Sequence, residues 1–259
     1  MNSISWLLAS LIPFLALTDV QAQGNTEIES FSKAKRLLQQ KVYNEHRQTL
    51  YCNAVFDEDK NVQLPQGFHT DKHKKRAARI EWEHVVPAEN FGRFYSEWRE
   101  GHPLCVSRKG KAYRGRKCAE KVVSQYRLMQ ADMHNLFPAI GAVNALRSNY
   151  SFTVMPQEPV DFGSCAMKIE NRKAEPPEES RGRIARTYLY MAETYPQLQL
   201  SKKTQHLMQA WHQRYPVAEW ECDRASAIET LQGNANLVVN EACSQRLQKG
   251  ETQEQIANR

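Results

Sequence analysis

Glu83 is followed directly by His84 inside an apolar stretch, Glu81-Trp82-Glu83-His84-Val85-Val86-Pro87, that a proline closes. A carboxylate is a hard oxygen donor for a divalent cation, and an imidazole can be a neutral base near pH 7. Side by side they are the parts of metal-assisted hydrolysis, with Glu83 as ligand and His84 taking a proton from an attacking water. Consecutive residues of a regular strand point to opposite faces, so both serve one site only at a strand end, a bulge or a turn. Pro87, which lacks an amide donor, is compatible with a strand that stops there. An isolated Glu-His pair is more often a surface acid beside a hydrogen-bonded histidine.

A second stretch, His134-Asn135-Leu136-Phe137-Pro138 with Asn144 beyond it, gives the pair partners. Asn144 falls in a predicted helix, where asparagine is a weak helix former, and its amide oxygen with Glu83 makes the small ligand set that Mg²⁺ accepts alongside retained waters. His134 and Asn135 lie on the loop before that helix, in supporting roles that cap the turn or orient His84. The other six histidines are scattered singly, with no compact nitrogen and sulfur set for zinc. The sequence contains no Gly-x-Ser-x-Gly elbow and no phosphate-cradling P-loop.

Charge points to the substrate class. Thirty-five Lys and Arg against twenty-nine Asp and Glu give a net charge of +6, a field that attracts phosphates or anionic lipid. One basic block, with Lys74, Lys75, Arg76 and Arg79, stands just ahead of Glu83; a second, from Cys105 to Lys121, includes Arg114, Arg116 and Lys117. A charge run alone is usually a solvated face, but beside a hydrolytic pair these cations become candidates for binding a polyanion's phosphates.

The elements that must position these groups read as follows. Residues 1–22 carry an apolar core and small residues near position 22, a secretory signal peptide too short for a comfortable membrane span. Export places six cysteines in an oxidising compartment, so three disulfides are expected; fifteen pairings are open. Cys105 with Cys118 and Cys222 with Cys243 close short loops, leaving Cys52 with Cys165. Helical spacing marks about 28–46, 181–195, 200–215 and a helix after Pro216 that Gly233 closes. The spacing also predicts a helix from Pro138 to Asn149, with proline in its first turn, and a strand or short helix over 122–129. Residues 23–243 form one mixed α+β domain, mostly helical, followed by a polar tail, 244–259, expected to be disordered.

Taken together, Glu81-Trp82-Glu83-His84-Val85-Val86-Pro87-Ala88, Asp132-Met133-His134-Asn135-Leu136 with Pro138, Val143-Asn144 with Arg147-Ser148-Asn149, Ile184-Ala185-Arg186-Thr187-Tyr188, and Trp220-Glu221-Cys222 resemble the bacterial endonuclease I family. These are periplasmic or secreted non-specific nucleases with a ββα-metal (His-Me finger) site. The resemblance implies that Glu83 and Asn144 hold Mg²⁺, with Mn²⁺ or Ca²⁺ as alternatives, that His84 is the general base, and that Arg116 assists at the scissile phosphate. It implies an Mg-dependent endonuclease acting on DNA and RNA, double- or single-stranded, leaving 5′-phosphate ends. A monomer without a stable membrane partner is expected. The basic loop is longer than the family's usual form, Ala145-Leu146 stand where Gly-Asp is common, Gln130 stands where an acid is common, and one of the family's disulfides is missing. The competing readings are an exported DNA-binding protein without catalytic activity and a metal-dependent phosphatase or phosphodiesterase for small substrates.

Overall fold

The computed structural model describes residues 23–156 and 162–257; the expected signal peptide, 1–22, lies outside them. Helix α1, Phe31–Leu37, is capped by Ser30 and widens into a π-helical turn, Leu38–Val42. A small hairpin, β1 (Val55–Phe56) with β2 (Val62–Gln63), leads to the four-residue α2, Lys74–Ala77, and into β3, Ile80–His84. Short helices α3 (Ala88–Gly92) and α4 (Ser96–Arg99) precede the basic loop. Helices α5 (Arg116–Val122) and α6 (Ser124–Gln130) follow it, then β4, Leu136–Ile140, and α7, Gly141–Arg147. Strand β5 (Ser151–Phe152) joins β6 (Lys168–Glu170) and β7 (Lys173–Glu175) in a second small sheet. Four helices finish the chain: α8 (Glu178–Thr194), α9 (Lys202–Arg214), α10 (Glu219–Gln232) and α11 (Leu237–Ala257). The result is α+β and mostly helical.

The centre is the antiparallel pair β3–β4, in register from Ile80 opposite Ile140 to His84 opposite Leu136. Alternation along β3 gives each face its own cover. Ile80 and Trp82 pack with α1, its π-turn and Ile228 of α10 in one apolar cluster. Glu81 and Glu83 face α7, beyond which the larger core runs through Phe137, Ala139, Ile184 and Tyr188 to α9.

Two expectations need correction. Residues 136–140 are strand, so the helix starts at Gly141 rather than in the turn after Pro138. Proline is tolerated because Trp82 and Pro138 are opposite partners whose polar groups point away from each other: the Pro138 carbonyl accepts from Leu50 N at 2.8 Å, on the outer edge. The missing amide therefore falls on that edge as well, where no ladder bond is lost. At the other end, α11 runs through Ala257, so the segment 244–257, expected to be disordered, is helical. Its Gln, Glu, Lys and Ala residues are good helix formers, continuing a turn that the Cys222–Cys243 disulfide ties to α10. The other two disulfides are Cys52–Cys165 and Cys105–Cys118, the expected pairs. Among the described residues no helix is long and apolar enough to cross a membrane.

Candidate active site

Strand β3 ends at His84, and the chain leaving it is pinned by Asn135. That amide accepts from Val86 N at 2.8 Å and donates to Val86 O at 3.0 Å, while the Asn135 carbonyl accepts from Val85 N. His84 is thereby set at a fixed strand end, 8 % exposed, its ring 5.0 Å from that of Phe31. Its Nε2 lies 2.9 Å from the Gln130 carbonyl oxygen, which can only accept, so Nε2 carries the proton and Nδ1 the lone pair. Burial first, then the positive charge of Arg116, pulls the imidazole down to about 3 against that bond. His84 is a neutral base with one nitrogen committed and the other available.

Arg116 opens α5 behind Gly115, whose φ of +79° only glycine adopts freely. Its Nε donates to the Gln130 side-chain oxygen at 3.1 Å, and Glu120 lies 3.4 Å away. Gln130 thus holds the base through its backbone and the arginine through its side chain.

Glu83, the expected cation ligand, sits in a buried ion pair. It is 3 % exposed, and its Oε1 accepts from Arg147 Nη1 at 2.7 Å and from the Tyr51 hydroxyl at 2.6 Å. Arg147, fully buried, also donates to the carbonyls of His84 and Val85. Burial pushes the Glu83 carboxyl up, opposed by Arg147 and Tyr51, and the same carboxylate holds Arg147 protonated, so the pair is ionic. Regular pairing up to His84 leaves no bulge, so Glu83 points to the same face as Glu81, opposite to His84.

Helix α7 lies along β3, and successive turns meet successive acids: Asn144 meets Glu81, and Arg147 meets Glu83. The direct hydrogen bond of Asn144 is thus to Glu81 and not to Glu83. Asn144 Nδ2 donates to Glu81 Oε2 at 3.0 Å, and Arg76 forks onto the same carboxylate, Nε to Oε1 at 2.7 Å and Nη2 to Oε2 at 2.5 Å. Gly141 allows this approach, because a Cβ there would lie 2.5 Å from the Arg76 carbonyl oxygen and 3.0 Å from Glu81 Oε1.

Glu81, Asn144, His84 and Arg116 line one open cleft of about 900 Å³; Glu83 does not. Seven cations surround it (Lys35, Arg36, Lys60, Lys75, Arg76, Arg79 and Arg116), and Glu81 is the one acid among the described lining residues. The Lys35 ammonium is pulled down by burial and by the charges of Lys60 and Arg116, as a strongly positive cleft requires. Lys75, Arg76 and Arg79 are there as expected. Lys74 and Lys117 are not in the lining, and Arg114 donates to the Arg99 carbonyl beside a separate depression. His134 is buried away from His84, with Nε2 3.2 Å from the Asn234 carbonyl. Lys35, Arg36, Lys60 and Glu81 were missed by sequence reasoning; for Glu81 the signal was its place two residues before Glu83, on the same strand face. A carboxylate and an amide oxygen in an open cleft suit a hard divalent cation that keeps most of its waters.

The endonuclease I family model matches residues 23–243. A periplasmic deoxyribonuclease of Aeromonas hydrophila is 38 % identical over 244 residues, 92 % of this chain and 95 % of its own. An extracellular deoxyribonuclease of the same organism is 38 % identical over 223 residues, covering 83 % and 90 %. An endonuclease-1 of Buchnera aphidicola subsp. Acyrthosiphon pisum (strain APS) is 36 % identical over 222 residues, covering 83 % and 82 %.

Proposed function

Since the chain belongs to the endonuclease I family, we propose that it is an exported endonuclease, periplasmic or extracellular, that hydrolyses the phosphodiester bonds of DNA, and of RNA, without reading sequence. The observation that carries this reading is a neutral imidazole with a free Nδ1 in a cleft ringed by seven cations and one carboxylate. Lys and Arg side chains hold a sugar-phosphate backbone through charge, which any sequence offers equally.

In this reading β3, β4 and α7 form the family's ββα-metal motif, and Asn144 and Glu83, at the end of β3 beside the base, hold the divalent cation, which we assign as Mg²⁺ with Mn²⁺ and Ca²⁺ as alternatives. Once bound, that ion offsets the negative charge that develops on the phosphate and on the leaving 3′ oxygen. His84 Nδ1 takes a proton from the water that attacks phosphorus, and Nε2–H, held by the Gln130 carbonyl, keeps the ring aimed and in the required tautomer. Arg116, steadied by Gln130, neutralises a phosphate oxygen beside it. Breaking the bond from phosphorus to O3′ leaves 5′-phosphate and 3′-hydroxyl ends. The protein acts as a monomer with nucleic acid as its partner.

Plasmid nicking by the oxidised protein with Mg²⁺ or with EDTA, beside His84→Ala, tests the reading. Magnesium-dependent cutting that the variant loses by about two orders of magnitude or more is expected. Tight DNA binding without cutting by either protein would leave an exported DNA-binding protein instead. The ligand assignment has its own test in Mn²⁺ affinity: Glu83→Gln, which also weakens a buried ion pair, should lower it sharply, whereas Glu81→Gln should lower it much less. The opposite pattern gives the ligand role to Glu81.

A further inference from the structure

The fold treats the two oxygens of Glu83 differently. Oε1 accepts from Arg147 Nη1 at 2.7 Å and from the Tyr51 hydroxyl at 2.6 Å, whereas Oε2 accepts from no described residue. Within the reading of Glu83 and Asn144 as the cation's ligands, we propose that Tyr51 and Arg147 are positioning residues: they fasten Oε1 to the protein so that Oε2 alone is presented to the cation.

A second buried pair in the same chain shows what an ion pair built for structure looks like. Arg186 forks onto Glu221, Nε to Oε1 at 2.7 Å and Nη2 to Oε2 at 2.8 Å, with side chains 2 % and 4 % exposed. Arg147 and Glu83 are as deeply placed, at 0 % and 4 %, yet their pair is not forked. Arg147 Nε is left buried without a partner, and Oε2 is unbonded but not fully sealed from solvent. An unused donor and an unused acceptor cost stability, so a pair that served stability alone would close both.

The clamp on Oε1 stands on fixed supports. Arg147 also donates to the carbonyls of His84 at 2.9 Å and Val85 at 2.7 Å, and its guanidinium carbon lies 4.5 Å from the centre of the Phe152 ring. Tyr51 is set between Leu50, whose N donates to the Pro138 carbonyl of β4, and Cys52, which is bonded to Cys165. The terminal torsion of a glutamate is broad and roughly two-fold, so two donors on one oxygen remove a freedom that the ligand would otherwise lose on binding. Asn144 is sorted in the same way. Its Nδ2 is committed to Glu81, which leaves its amide oxygen, without a donor among the described residues, for a cation.

The experiment measures Mn²⁺ affinity by calorimetry on the oxidised protein without nucleic acid, beside its thermal midpoint in EDTA. Tyr51→Phe removes one hydroxyl and keeps the ring; it should weaken Mn²⁺ about tenfold or more. Ser180→Ala removes a hydroxyl that donates to the Leu50 carbonyl at 2.6 Å, loosening the same corner without touching Glu83. It should lower the midpoint and leave Mn²⁺ affinity nearly unchanged. Arg147→Lys keeps the charge but cannot hold Oε1 and both carbonyls together, and should weaken Mn²⁺ at least as far; should it not fold, Tyr51→Phe decides alone. Parent-like Mn²⁺ binding by Tyr51→Phe, or an equal loss in Ser180→Ala, would overturn the positioning role. Glu83→Gln separates the levels: if it binds Mn²⁺ like the parent, the ligand assignment itself fails, and if it loses Mn²⁺ while Tyr51→Phe does not, the positioning alone fails.

Discussion

Two buried histidines of this chain donate Nε2–H to a backbone carbonyl, yet they differ in what the other nitrogen does. His84 keeps Nδ1 for the cleft, whereas His134 Nδ1 is buried without a hydrogen-bond partner. Burial pulls His134 down to about 4, opposed by Asp132. An unfolded histidine titrates near 6.5, so above that pH both states are neutral and His134 adds no pH dependence. Between about 6.5 and 4 the unfolded chain binds a proton that the folded one refuses, and stability falls as the medium becomes more acid. One such group changes the folding constant by up to about tenfold per pH unit. The midpoint of thermal unfolding should therefore drop between pH 6.5 and 4, and His134→Gln, which keeps an N–H for the Asn234 carbonyl, should flatten the drop. Comparing variant with parent cancels the opposite contribution of the buried Glu83 carboxyl. An unchanged slope would show that His134 is not neutral in the fold.

At the scale of elements, the site depends on how α7 lies along β3, and this is where the sequence was only partly legible. The Glu-His pair, the helical asparagine and the strand stopping near Pro87 could all be read from residue types. The turn-by-turn match of Asn144 with Glu81 and Arg147 with Glu83 could not. Choosing between two acids on one strand face requires knowing where the helix begins, and Pro138 suggested a helix start where the chain is still strand. Gly141 is the true hinge of that register. In an exposed helix Gly→Ala would stabilise by about 1 kcal/mol. Here the new Cβ would meet the backbone oxygens of Arg76 and Arg79 at 2.5 and 3.1 Å, groups that cannot swing aside. Gly141→Ala should instead destabilise by about 1–3 kcal/mol. Because it levers Asn144 off Glu81, it should also reduce nicking by more than its stability loss explains at a temperature where it remains folded. Stabilisation with normal activity would mean that α7 does not sit this close.

At the scale of the molecule, the three disulfides and the net charge were legible because cysteine parity and charge totals do not depend on the fold. The shape of the positive field was not. Its cations come from α1, from the β1–β2 turn at Lys60, from α2 with Arg79, and from α5, four stretches that only the strand pair and its two covering faces bring together. Lys35 and Arg36 lie outside both basic blocks of the sequence, whereas Arg114 and Lys117 belong to the second block although they do not line the cleft. The assembled field sets the salt response. Five lining cations, Lys35, Arg36, Lys60, Lys75 and Arg79, have no carboxylate partner among the described residues. If each neutralises one phosphate of a duplex, the logarithm of the binding constant should fall against the logarithm of salt concentration with a slope of about −4 to −5. Lys60→Ala should make that slope shallower by about one, although Lys60 lies far in sequence from both basic blocks. Lys117→Ala should leave it nearly unchanged. A parent slope shallower than about −2, or a larger change from Lys117 than from Lys60, would place the bound strand along the basic loop instead of through the cleft.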